Sequence, residues 1–540
     1  MASSTRARCY LVIFLKQRGE IFGYNHYRIM RKHLSLLCSL GLVLMIVSCA
    51  KEKVVEHPYA GLSSEYYDSF SDKALMADAQ EIRDNILTIV KADRDSLKAD
   101  RYTRAHYKYF STSPSAFLWI DRKGVSTQAD TLLACLDSCD REGFEKRQFG
   151  VEYIRKDLET LRNLSFETEG KNSINRVLAR LEYNLTKAFL RYAVGQRYGF
   201  TNPFDLLNRL DVRDSDSVRL TYRQLFDDSI HICGKQTFYG AINAIKHDSV
   251  GIYLAKAMAH TPIYNRIKEG LKNDSLDRKT ILINLERARW KPTDAPHLHD
   301  EYVIVNIPAF HLWAMRDKRL ALDMKIGCGS TKTKTPLLHS KIKRMELNPQ
   351  WVIPWSIRKK EINGKGGNAD YFYRNHYFAR NKKTGAKLTG AAITNSIIMS
   401  PDWSIVQEGG DGNSLGRIIF RFDNNFSIYV HDTSTPSVFQ RKVRSVSHGC
   451  IRVEKPYELA CYLLRNKDPE TAEKIKYSME ADMSSPKREW NKLIGSKKVD
   501  PQVPIFIVYY TLFPVPEGEL QIFPDIYGYD SVIAKALRAI

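Results

Sequence analysis

The chain has no apolar run long enough to cross a membrane comfortably as a helix. Its apolar run at residues 34–47 is fourteen residues long, against the roughly twenty that a spanning helix needs. Cysteine is present but unpatterned. Nine occur, at 9, 38, 49, 135, 139, 233, 328, 450 and 461, with no Cys-x-x-Cys and no paired metal spacing. That argues against a zinc module or a dithiol redox centre, and no metal or organic cofactor is expected. Acidic residues are in deficit, 61 against 82 basic ones, which gives a net charge of +21. Yet no helix-turn-helix pattern and no basic run interleaved with aromatics accompanies that charge, so nucleic acid is not the expected partner. An excess of positive charge also suits an anionic polymer, or simply a solvated face.

The 540 residues suffice for two to four domains with proper cores. At 43% hydrophobic and 26% charged, the composition is that of an ordinary globular protein. Near the start, Met30-Arg31-Lys32-His33 supplies a basic segment, the apolar run follows, and Ser48-Cys49-Ala50 then leads into Lys51-Glu52-Lys53. This order resembles a bacterial lipoprotein signal, with Cys49 as the lipidated residue and Met30 as the translation start. Residues 1–48 are therefore expected to be a signal segment and 49–75 a tether. The resemblance implies a periplasmic location in the cell envelope, on a lipid anchor.

From 76 to 290 the periodicity is helical. Leu178, Leu181, Leu185, Ala188, Phe189 and Tyr192 recur on one face. Cys135 and Cys139, four apart, are expected to share a face of a helix over 132–142. There a disulfide is sterically awkward and core packing is the expectation. Near residue 300 the texture turns to strands: Tyr302-Val303-Ile304-Val305, then 320–326, 418–422 and 503–510. The fold class is α+β, a helical scaffold domain over 76–290 followed by a mainly-β domain over 291–540. Asn348-Pro349-x-Trp351-x-x-Pro354 opens a long aromatic and glycine-bearing stretch, expected to be a flexible lid at 355–400.

Residues 428–452 carry the chemistry. Asp423-Asn424-Asn425 is expected to turn the chain into a strand ending at His431, with Tyr429 on the same face as His431. Ser447-His448-Gly449-Cys450-Ile451-Arg452 follows as a compact turn, ahead of a helix that starts at Pro456. A lone cysteine is usually a small buried hydrophobe, and a lone histidine a structural one. Together they are what a thiol nucleophile (Cys450) and its general acid/base (His431) need. Gly449 would let backbone N–H groups of 448–450 converge on a developing oxyanion, and Arg452 adds a fixed positive charge.

Tyr429-x-His431-Asp432-Thr433 joined to Ser447-His448-Gly449-Cys450-x-Arg452 resembles the active-site signature of the L,D-transpeptidases, the YkuD-type catalytic domain. The stretches around 117–142, 261–290 and 503–536 resemble the large multi-domain Gram-negative branch of that family. The resemblance implies acyl transfer on peptidoglycan stem peptides. The thioester on Cys450 would release D-alanine from a tetrapeptide stem and pass to a second stem as a 3→3 cross-link. It implies Ser447, His448 and Gly449 as loop or oxyanion residues, and Tyr429, Arg452 and Trp351 as substrate-binding residues. Val406-Gln407-Glu408-Gly409-Gly410 departs from the family's Arg-Gln-x-Pro-Gly. An L,D-carboxypeptidase or envelope-peptide hydrolase with the same pair stays open, as does a non-catalytic wall-binding lipoprotein. The oligomeric state stays open too.

Overall fold

The computed structural model describes residues 77–538, apart from 109–116, 122–123, 213–220, 259 and 466–467. The expected signal segment, Cys49 and the tether lie outside the described residues. No described helix is long and apolar enough to cross a membrane.

The helical half is organised around Ile174–Tyr198, whose side chains are buried on nearly every side. Helices Ala79–Ala92, Lys98–Lys108 and Val151–Arg162 pack against it. Such burial leaves polar groups in need of partners. Glu182 meets that need by accepting from the Leu118 N–H (2.6 Å), the Trp119 N–H (2.9 Å) and the Tyr107 hydroxyl (2.9 Å). Burial outweighs these bonds and pushes its carboxyl up to about 7. Arg191 and Asp100 form a second buried pair at 2.6 Å.

The expectation for Cys135 and Cys139 needs correction. The helix is Gln128–Asp137, and Cys139 opens a separate 3-10 turn, Cys139–Glu142. The Ser138 hydroxyl donates back to the Ala134 and Cys135 carbonyls at 3.2 Å each, and Gly143, at φ 78°, turns the chain away. Side chains that bond local carbonyls compete with helix continuation in this way. The six cysteines among the described residues are all free thiols.

In the second half, nine strands matter: β1 (Glu301–Asn306), β2 (His311–Arg316), β3 (Arg319–Gly329), β4 (Leu338–Leu347), β5 (Ile418–Phe422), β6 (Val430–His431), β7 (Ser445–Ser447), β8 (Ile451–Val453) and β9 (Ser496–Val508). Eight close a ring in the order β3–β8–β6–β5–β4–β9–β1–β2, because β2 also pairs with β3, and β7 lies along β3. Ring closure removes exposed sheet edges. Alternation along each strand decides the inside: Val303, Val305, Phe420, Val430 and Ile451 join one core, while Ile304, Trp313 and Phe506 cluster with Phe513 elsewhere. The closing segment contains one element the sequence did not suggest, the helix Tyr529–Arg538.

Side-chain contacts cross the expected boundary at 290. Helix Arg278–Arg289 reaches the β-rich half through Asn284 Nδ2 to Thr511 Oγ1 (2.8 Å) and through an Arg287–Asp530 ion pair (2.6 Å).

The expected lid is a folded subdomain, not a flexible loop. Strands Trp351–Val352, Tyr377–Asn381, Lys387–Thr389 and Trp403–Gln407 make a four-stranded sheet. It surrounds its own core of Ile353, Ile357, Ile362, Phe372, Ile393, Ile398 and Ile405. The isoleucines are spread over loops, short helices and one strand, so no periodicity announced them. The buried Arg358 guanidinium donates to the Trp403 carbonyl (2.8 Å) and to those of Ile398 and Ser400, holding these segments together.

Candidate active site

His431 and Cys450 are set by backbone pairing before any side chain acts. β5 and β6 form the expected hairpin, with Ile419 opposite His431. Its returning arm is partly irregular. The Asn424 side chain replaces ladder bonds by accepting from the Ile428 N–H (3.1 Å) and donating to the Ile428 carbonyl (2.9 Å). β6 then pairs in parallel with β8, His431 beside Arg452, and the Ile451 N–H donates to the Tyr429 carbonyl (2.9 Å). In this register Tyr429, His431, Cys450 and Arg452 share one face, while Val430 and Ile451 point into the core.

His431 is buried, only 3% exposed, and its Nδ1 faces the Leu415 carbonyl at 3.3 Å. A carbonyl can only accept, so Nδ1 carries the proton and Nε2 is left as the basic nitrogen. Burial, with Arg452 close by, holds the imidazole down at about 4. Sequence reasoning missed the turn that presents this carbonyl. Gly416, at φ 67°, sits so close to Asp432 that a Cβ there would lie 2.5 Å from the Asp432 Cβ. Asp432 accepts from the Arg417 N–H (2.8 Å) and its own N–H donates to the Ile418 carbonyl (3.0 Å). The signal was present, since Asp432 follows His431 directly and Gly416 stands in Asn413-x-Leu415-Gly416. What it lacked was the pairing that brings the two together.

Cys450 is partly buried against the ring core. Burial pushes its thiol up to about 11, opposed by Arg452 and Arg421. The loop before it is tied internally: Ser447 Oγ donates to the Cys450 carbonyl (2.6 Å) and accepts from the Gly449 N–H (3.1 Å). The Gly449 N–H is thus already engaged, which corrects its expected place among free oxyanion donors. Gly449 instead supplies the φ of 121° that the turn requires. Thr335 Oγ1 donates to its carbonyl at 2.9 Å.

The remaining expected residues are distributed differently. His448 is exposed and pairs through Nε2 with Glu361 of the 351–407 subdomain at 2.8 Å, so it joins the Ser447–Arg452 turn to that subdomain. Arg452 makes no ion pair among the described residues, and its buried Nε has no hydrogen-bond partner. Tyr429 stacks under the Arg421 guanidinium, 4.5 Å from ring centroid to Cζ. Trp351 packs against the lid core. The divergent 406–410 segment is well held: Gln407 Nε2 donates to the Asn375 carbonyl (3.1 Å), and Asn413 Nδ2 to those of Pro349 (3.1 Å) and Glu408 (2.7 Å). No group of three or more metal-ligating side chains occurs among the described residues.

Comparison with known proteins places this geometry. Residues 300–472 match the model of the YkuD L,D-transpeptidase catalytic domain, and residues 104–271 that of the scaffold domain. The chain carries a YkuD-type L,D-transpeptidase catalytic domain beside a scaffold domain. It is 27% identical over 304 residues to a Haemophilus influenzae protein provisionally named an L,D-transpeptidase, covering 55% of this chain and 58% of that one. The chain thus spans rather less than two thirds of the length of that relative. Among solved structures, an L,D-transpeptidase from Mycobacterium smegmatis matches 39% of this chain and 58% of its own, at 15% identity and a TM-score of 0.19. L,D-transpeptidase 1 of Mycobacterium tuberculosis matches 39% and 61%, at 14% and 0.16.

Proposed function

We propose that this protein is a cysteine acyltransferase acting on peptidoglycan stem peptides, with Cys450 as nucleophile and His431 as general acid/base. The observation that carries the reading is the Nδ1 contact of His431 with the Leu415 carbonyl. It leaves Nε2 free to take a proton, on the face that His431 shares with Cys450. With the thiol high and the imidazole low, the resting pair is neutral. Proton transfer therefore accompanies attack rather than preceding it.

In the first half-reaction the Cys450 sulfur bonds to the carbonyl carbon of the third stem residue as its proton passes to His431. The carbon–nitrogen bond to D-alanine then breaks, and His431 returns the proton to the leaving amine. In the second, the side-chain amine of another stem attacks the thioester, loses a proton through His431, and frees the thiol. The product is a 3→3 cross-link. The N–H groups of His448 and Cys450 are the donors left for the oxyanion, since that of Gly449 is engaged; such a donor contributes about 10²–10³ in rate. Arg452, partly buried and with no ion pair among the described residues, is suited to a substrate carboxylate.

Water in place of the amine would make the same site a carboxypeptidase. We further propose that the chain is held in the periplasm by lipid on Cys49. A carbapenem tests the nucleophile: it should add its mass to Cys450 in the native protein and not to Cys450→Ala. An adduct elsewhere, or equal labelling of both, would remove Cys450 from the mechanism.

A further inference from the structure

The face that holds Cys450 continues past Tyr429 into a groove of about 760 Å³. The sheet register builds it. With Ile419 opposite His431, Arg421 falls opposite Tyr429, and Arg344 of β4 lies opposite Arg421. Cys450 and Tyr429, just ahead of β8 and β6, therefore form a row with Arg421 of β5 and Arg344 of β4. Two strand spacings, about 10 Å, separate the backbones of Cys450 and Arg421, a gap that an arginine side chain largely spans.

The charges along this row do not balance. Arg421 Nη2 and Arg344 Nη2 both pair with Glu346, the former at 2.8 Å. Two guanidiniums on one carboxylate leave one positive charge uncompensated, and Arg452, with no ion pair among the described residues, adds another two positions from Cys450. At the far end of the groove Asp423 pairs with Lys343, while Asp227, held by the neutral amides of Gln224 (3.0 Å) and Asn425 (2.8 Å), keeps its negative charge, so the excess positive charge lies at the Cys450 end. The Arg421 guanidinium lies over the Tyr429 ring, 4.5 Å from Cζ to the centroid, within cation–π range. Arg421 stays 32% exposed and Arg344 56%. A planar, preorganised guanidinium with spare charge at the edge of a groove is built for a carboxylate.

We propose that Arg421, supported by Tyr429 and Arg344, is a carboxylate subsite that selects the stem peptide by charge. This rests on the acyl-transfer reading above. Two carboxylates of a stem could fill it, the terminal one of D-alanine or a second one borne by the diamino acid.

Binding to Cys450→Ala, measured by titration calorimetry, tests the subsite without requiring turnover. The probes are a tetrapeptide stem with free acids, the same stem with a C-terminal amide, and the same stem with the diamino acid's second carboxylate amidated. One amide should bind at least about tenfold more weakly than the acid, and which one identifies the carboxylate. Adding Arg421→Leu should make acid and amide bind alike, and Arg421→Lys should restore part of the difference. Equal affinity of all three probes for Cys450→Ala would overturn the subsite, as would discrimination that survives Arg421→Leu. Release of D-alanine by the native protein is scored separately. Discrimination without release would sink the acyl-transfer reading and leave the subsite standing.

Discussion

The reactivity of Cys450 toward a small alkylating agent should be low at neutral pH and should rise steadily with pH. Burial pushes the thiol up to about 11 and holds His431 at about 4. Only thiolate reacts, and at pH 7 such a thiol is ionised to roughly 1 part in 10⁴, against about 3 in 100 for an exposed cysteine near 8.5. The more basic sulfur is intrinsically a better nucleophile, and a Brønsted slope of about 0.4–0.5 returns about tenfold of that deficit. The net expectation is alkylation roughly 30-fold slower than free cysteine at pH 7, before any steric loss. The assay is iodoacetamide labelling followed by peptide mass spectrometry, which separates Cys450 from the other free thiols. The rate constant should climb about tenfold per pH unit between 7 and 9.5. His431→Asn should leave that slope unchanged. A rate that is flat from pH 5 to 8 would mean a preformed thiolate–imidazolium pair, and would refute the neutral resting state.

Three further outcomes are expected. Gly416→Ala places a Cβ 2.5 Å from that of Asp432 at a φ of 67°, so the Leu415 carbonyl must move; kcat/KM should fall at least about tenfold while circular dichroism of the ring is unchanged. Arg358→Met leaves three lid carbonyls without their donor; it should destabilise the lid by about 2–3 kcal/mol and admit protease cleavage within 351–407. Glu182, fully buried, holds its proton up to about 7, above the 4.5 of an exposed glutamate. Between those values the folded state binds the extra proton, so stability is highest below 4.5 and falls as pH rises toward 7. The loss is about 3 kcal/mol, and Glu182→Gln should remove that part of the pH dependence in denaturant titrations at pH 5 and 7.5.

The parts of this molecule that were legible in the sequence are those with a short period or a contiguous motif. The helical run through Leu178 and Leu185 announces itself by spacing, and the strand residues Val303 and Val305 do so by a contiguous β-branched run. So does the His431 hairpin, because the turn at Asp423-Asn424 sits between its arms. What was illegible depends on contacts far apart in sequence. The lid core draws isoleucines from 353 to 405 with no repeat between them. The Gly416–Asp432 approach and the Arg421–Tyr429 stack exist only once β5 and β6 pair. The His448–Glu361 pair spans 87 positions. A side-chain hydroxyl decided two further cases. Ser138 ends a helix that cysteine spacing alone would continue, and Ser447 takes the Gly449 N–H that motif reading would leave for the oxyanion.

The central claim is acyl transfer through Cys450 from a stem peptide. Its most direct measurement is mass analysis of the products formed when the purified protein is incubated with disaccharide-tetrapeptide. A cross-linked dimer lighter than two substrates by one D-alanine, absent with Cys450→Ala, is the expected result. A tripeptide monomer alone would make the protein a carboxypeptidase, and unchanged substrate, or dimer still formed by Cys450→Ala, would contradict the account.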